Sequence, residues 1–184
     1  MDATQSRRLH TLLAVAMLVI ALAVVAVAVS ACGEAVVEKA IEGAAQQSGE
    51  DVDVDIDSGS GSVSVSGETG EMNSQVGGGV EVPEGFPTAL IPEGVKIVQA
   101  ITSTENGSPT QIVGFETSTN YKDMYDYYLE ALPQLGYEIT DKVRMESGEE
   151  GNIAIQGDGP DGTVVISGGG KTGDTYYYLI GVEL

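Results

Sequence analysis

Leu12 to Val29 is an unbroken apolar run of eighteen residues, LLAVAMLVIALAVVAVAV, with no polar residue at helical spacing to mark a solvent face. A helix that is apolar all round cannot lie on the surface of a water-soluble core. Its length suits the hydrocarbon core of a bilayer or the h-region of an export signal. Arg7 and Arg8 precede it. Positive flanks stay on the cytoplasmic side, so the chain beyond residue 29 is expected outside the membrane. The run thus confines the foldable part of these 184 residues to its C-terminal side, room for one ordinary domain and its connections.

The run ends in Val29-Ser30-Ala31-Cys32, with Gly33 next. An aliphatic residue, two small ones and a cysteine at the end of an h-region resemble the lipobox of bacterial lipoproteins. The resemblance implies a diacylglyceryl group on the Cys32 thiol, then cleavage before it, leaving a lipidated (palmitate-type) N-terminal cysteine. Residues 1–31 are expected as the lipoprotein signal peptide. The rival reading is a signal anchor with an incidental cysteine. A twin-arginine signal fits less well, because His10 and Thr11 follow Arg7-Arg8 where that motif prefers an aromatic residue and a leucine.

Charge sharpens the case for an acyl anchor. The chain has 8 Lys+Arg against 28 Asp+Glu; removing Arg7, Arg8 and Asp2 leaves 6 and 27, a formal −21. Such a body is repelled by anionic headgroups. Two or more acyl chains, each contributing about 0.8 kcal/mol per buried CH₂, would hold it regardless. Nucleic acid is excluded as a partner, since no basic cluster exists beyond Arg7-Arg8.

The rest of the composition narrows the chemistry. His10 is the sole histidine and Cys32 the sole cysteine, both at or before the lipidation point. No intramolecular disulfide, Cys/His zinc site or histidine-dependent catalysis can therefore be built in the exported part. Gly170-Lys171-Thr172 copies the end of a phosphate-binding loop, but Val165 stands where that motif needs its first glycine, and no helix is expected after it. No cofactor and no metal are expected.

Between anchor and domain the organisation is read in three parts. Residues 32–50 form a lipid-proximal spacer or short helix, with Val37, Ala40, Ile41 and Ala44 on one helical face. Residues 51–66 alternate strictly, Val52, Val54 and Ile56, then Val63 and Val65, around SGSGS: a β-hairpin with one apolar and one polar face. The Asp51, Asp53, Asp55, Asp57 ladder departs from a calcium loop, since Ser58 and Ser64 occupy the glycine and glutamate places counted from Asp53. It reads as a solvated face, with a weak cation site as the alternative. Residues 67–82 are rich in glycine and polar residues and read as a flexible linker.

Residues 83–184 read as the exported domain. Strands are predicted near 95–104 and 110–118, joined at Asn106-Gly107-Ser108-Pro109. A helix is predicted next, at about 120–135: Tyr121, Tyr125, Tyr128, Leu132 and Leu135 form its apolar stripe, Asn120 and Asp123 its capping box, Gly136 its C-terminal cap. Glycine-rich turns at 148–151, 157–162 and 168–173 then separate three or four closing strands. The order ββαβββ, with one helix packed on an antiparallel sheet, is an α+β fold.

From VPEGFPTALIPEG (82–94) to YYLEALPQLGYEI (127–139) and the closing strands, the chain is similar to the exported domain of uncharacterised Gram-positive lipoproteins. The likeness implies an envelope location and no particular activity. Tyr121, Tyr127 and Tyr177 are the candidate binding residues, from a tyrosine set that either lines a groove between the helix and the last strand or fills the core. The expected function is a lipid-anchored cell-envelope protein whose exported domain binds or scaffolds without catalysis. Its partners would be the membrane, through Cys32, and an envelope protein or cell-wall ligand. The alternatives are a small carboxylate-dependent cell-wall hydrolase, or a signal-anchored protein carrying the same domain.

Overall fold

The computed structural model describes residues 52–57, 61–67, 70–105, 107–147 and 150–184. The expected signal peptide, the lipobox and the spacer over 32–50 lie outside the described residues. Among the described residues, nine strands and one α-helix build an α+β fold. The strands are β1 (Val52–Asp57), β2 (Ser62–Gly67), β3 (Gly70–Val76), β4 (Lys96–Glu105) and β5 (Ser108–Thr117), then β6 (Glu138–Ser147), β7 (Glu150–Gly159), β8 (Gly162–Thr172) and β9 (Thr175–Glu183). The helix α1 (Tyr121–Gln134) joins β5 to β6, and a 3-10 turn (Thr88–Leu90) precedes β4.

All nine strands share one antiparallel sheet in the order β1-β2-β3-β4-β5-β9-β8-β7-β6. Four strands follow the helix, the larger of the two numbers expected. One sequence expectation is thereby corrected. The flexible linker over 67–82 contains β3, which pairs from Gly70↔Glu105 to Val76↔Gln99 and so joins the hairpin to the domain in a single sheet. Gly and polar residues suggested a spacer, yet Met72 and Ser74 alternate with Glu71, Asn73 and Gln75, and the first two are buried.

The core lies on one face. Val113, Phe115, Ile153, Ile155, Val164, Ile166, Tyr178, Ile180 and Val182 point from β5, β7, β8 and β9 toward α1. They meet Tyr121, Met124, Tyr128 and Leu132 of the helix, while Phe86 and Leu90 of the approach segment extend the cover. The helix starts where expected because Asn120 caps it: its Oδ1 accepts from the Lys122 and Asp123 amides at 2.9 and 3.1 Å. Its Nδ2 donates to Asp123 at 2.7 Å. Pro133 falls in the last turn, and Gly136, at φ +89°, turns the chain so that the Tyr137 amide reaches the Leu132 carbonyl.

The opposite face carries no helix among the described residues. Ile101 and Met72 are buried there, Ile112, Tyr177 and Leu179 half-buried, and Val143, Met145 and Val165 exposed. Among the described residues no helix is long and apolar enough to cross a membrane.

Candidate functional site

The tyrosine set resolves into core, surface and far face. Tyr121 and Tyr128 are buried beneath α1, and Tyr178 of β9 stacks on Phe115 at 5.5 Å between ring centroids. Tyr127 lies off the stripe, 40% exposed, its ring edge-on to Tyr128. Tyr177 points to the helix-free face, where its hydroxyl donates to Gln99. Tyr121, Tyr127 and Tyr177 therefore do not converge: Tyr121 is buried, Tyr127 is on the helix surface and Tyr177 is on the opposite face of the sheet. Period-two alternation along β9 sends Tyr176 and Tyr178 inward and Tyr177 outward.

Burial shapes the chemistry of these phenols by disfavouring the charged form. Tyr128 is raised well above its usual range by burial, and its hydroxyl donates to the Leu90 carbonyl at 3.1 Å. Tyr178 is raised by burial and donates to the Thr119 carbonyl. Tyr177 is pushed up to about 12, by burial and then by the nearby Glu116 carboxylate. Tyr137 also reaches about 12, through burial and its hydrogen bond to Asp161. All four favour neutral phenols that act as hydrogen-bond donors.

The glycines read from sequence as turns mostly lie inside strands beneath these rings. A Cβ on Gly151 of β7 would stand 2.5 Å from the Tyr121 ring, and one on Gly159 would enter the ring of Tyr137. Gly168 and Gly169, at φ +137° and +123°, form an irregularity in β8 where a side chain on Gly169 would press on the Gly151 carbonyl and Tyr121. Removing side chains from the sheet is what lets the tyrosines lie flat on it. The connections themselves are shorter than expected: Pro160-Asp161 and Gly173-Asp174.

A concavity with a mixed polar and apolar lining sits elsewhere, on the helix side of β3 and β4. About 230 Å³ is enclosed by Asn73, Gln75, Ala100 and Thr102 below and by Glu81, Val82, Pro83 and Glu84 above. Next to it, Gln111 pairs with Thr102 across the ladder and donates from Nε2 to the Glu84 carbonyl at 2.8 Å. Its Oε1 is buried without a protein partner. Amides, a hydroxyl and two carboxylates can hydrogen-bond a small polar group or ordered water, but the space is below the usual size of a small-molecule site. Sequence reasoning misses this cleft, because Asn73 and Gln75 fall in a glycine-rich polar stretch that reads as linker. The alternation of Glu71, Asn73 and Gln75 with Met72, Ser74 and Val76 was the available signal.

Asp53, Asp55 and Asp57 are exposed along β1, on the same side of the sheet as α1. Among the described residues no group of three or more His, Cys, Asp or Glu is placed to hold a metal ion. Cys32, Val29, Ser30 and Ala31 lie outside the described residues.

No protein-family model matches the chain, and no curated protein matches it. Among solved structures, the solution structure of cyanobacterial PsbP (CyanoP) from Synechocystis sp. is similar over 72% of this chain and 79% of its own, at 8% identity and a TM-score of 0.35. A likeness that loose carries nothing about function.

Proposed function

We propose that this protein is a lipid-anchored component of the bacterial cell envelope, whose exported α+β domain binds or scaffolds an envelope protein or cell-wall ligand without catalysis. The observation that carries the reading is Val29-Ser30-Ala31-Cys32 at the end of an eighteen-residue apolar run behind Arg7-Arg8. A binding role is favoured over catalysis because histidine occurs only at position 10 and cysteine only at position 32, neither within the exported domain. Twenty positions separate Cys32 from Val52. Fully extended, that tether reaches about 70 Å, which keeps the sheet close to the outer membrane surface.

Mass spectrometry of the membrane-bound protein tests the anchor. The expected N-terminal peptide begins at Cys32 and carries a diacylglyceryl group. Cys32→Ser should abolish that species and let the uncleaved precursor accumulate. A peptide running from Val29 through an unmodified Cys32 to Glu34, recovered from membranes, would establish a signal anchor instead.

A further inference from the structure

β6 closes one end of the sheet: β7 pairs with one of its sides, and no described strand pairs with the other. A free edge presents a row of unpaired N–H and C=O groups, which proteins either protect or use. The two edges of this sheet differ in kind. On β1 the exposed residues Asp53, Asp55 and Asp57 are all acidic, so two such edges placed together would repel.

On β6, Lys142, Arg144 and Glu146 lie on the α1 side, opposite Ile155, Ile153 and Gly151 of β7. Val143 and Met145 point to the helix-free side and are 43% and 59% exposed. The row Lys142, Arg144, Glu146 reverses into its own complement about Arg144, and the row Val143, Met145 is apolar in either direction.

We infer that β6 is a self-association edge, through which a second copy of this chain pairs antiparallel about a twofold axis at Arg144. In that register Lys142 stands opposite Glu146 of the partner subunit, and Glu146 opposite its Lys142. Val143 and Met145 cover Met145 and Val143 of the partner subunit on the other face. Arg144 meets its own copy. Each guanidinium is already held by Glu146 at 3.2 Å and Asp126 at 4.0 Å, which offsets the like charge. A register with Val143 on the axis would put Lys142 against Arg144, and one with Met145 on the axis would set Val143 opposite Ser147; only the first pairs Lys142 with Glu146 and keeps Val143 on Met145. α1 packs against β6 and β7, so the two helices lie on the same side of the joint sheet, flanking the axis. The contact is isologous and closes at two copies.

Cysteine crosslinking in the full-length protein, in its native membranes under mild oxidation, tests the register. Directly opposed residues have Cβ atoms about 4.5–5.5 Å apart, close to disulfide distance. Arg144→Cys should therefore give a covalent species of twice the chain mass, in a yield well above that of the unsubstituted chain. Lys142→Cys alone separates the two sulfurs by four residues along the strand, about 13 Å, and should give no more than the unsubstituted chain. Lys142→Cys combined with Glu146→Cys should restore the dimer while leaving Arg144 in place, which guards against misfolding of the first variant. Absence of a dimer from both variants in folded protein would overturn the inference. So would equal yields at positions 142 and 144, or preferential coupling of Lys142→Cys to Asp55→Cys, which would mark β6 pairing with β1.

Discussion

Gly159 and Tyr137 act as one unit, because the ring occupies the space where a side chain on the glycine would stand. Overpacking of this kind costs about 1–3 kcal/mol. Gly159→Ala should destabilise by that amount in urea unfolding, and by markedly less in a Tyr137→Ala background, since neighbours that share a contact do not add. The helix gives a second contrast. Tyr128→Ala, which removes a fully buried ring and its bond to Leu90, should cost about 3–5 kcal/mol. Tyr127→Ala should cost well under 1 kcal/mol by the same measurement, as expected for an exposed position away from special features. The inward stripe was legible in outline from spacing: Tyr121, Tyr128 and Leu132 are buried together with Met124, whereas Tyr125 and Leu135 are half-buried against the core. The glycine partners were not. Tyr121 covers a glycine thirty positions away, and no local pattern distinguishes such a glycine from one in a turn.

At the scale of elements, α1 was readable because its signals are local: a cap, a stripe of 3.6 period and a closing glycine. Its N-cap accepts from two amides of the first turn and donates to the Asp123 carboxylate. Asn120→Ala should therefore lower stability by about 1 kcal/mol in denaturant titration, and Asn120→Asp or Asn120→Ser should restore most of it. The hairpin of β1 and β2 was legible for a similar reason, since its alternation is strict. β3 was hidden because serine and asparagine fill places that a stronger strand would give to β-branched residues, and pairing with β2 and β4 secures it. The cleft went unseen with it.

For the whole molecule, the raised phenols define a boundary at high pH. Their ordinary value is 10.0, whereas Tyr177 and Tyr137 reach about 12 and Tyr128 and Tyr178 are raised as well. The folded state thus keeps protons that the unfolded chain releases first. That contribution is complete below pH 10 and is lost progressively as pH rises from about 10 toward 12. Thermal midpoints should be flat toward pH 9 and fall steeply across that window, with a shallower fall in Tyr177→Phe. A midpoint insensitive to pH between 9 and 12 would contradict the burial of these rings.

The position of β9 carries a temporal consequence. Latest of the nine described strands along the chain, it lies between β5 and β8 and alone among them bridges β1–β5 to β8–β6. A chain threaded through a membrane N-terminus first would deliver both flanks before the piece that unites them. Until Thr175–Glu183 emerges, no strand pairing joins Val113 and Phe115 of β5 to Val164 and Ile166 of β8. On the proposed export route, closure of the single sheet would thereby wait for Thr175–Glu183.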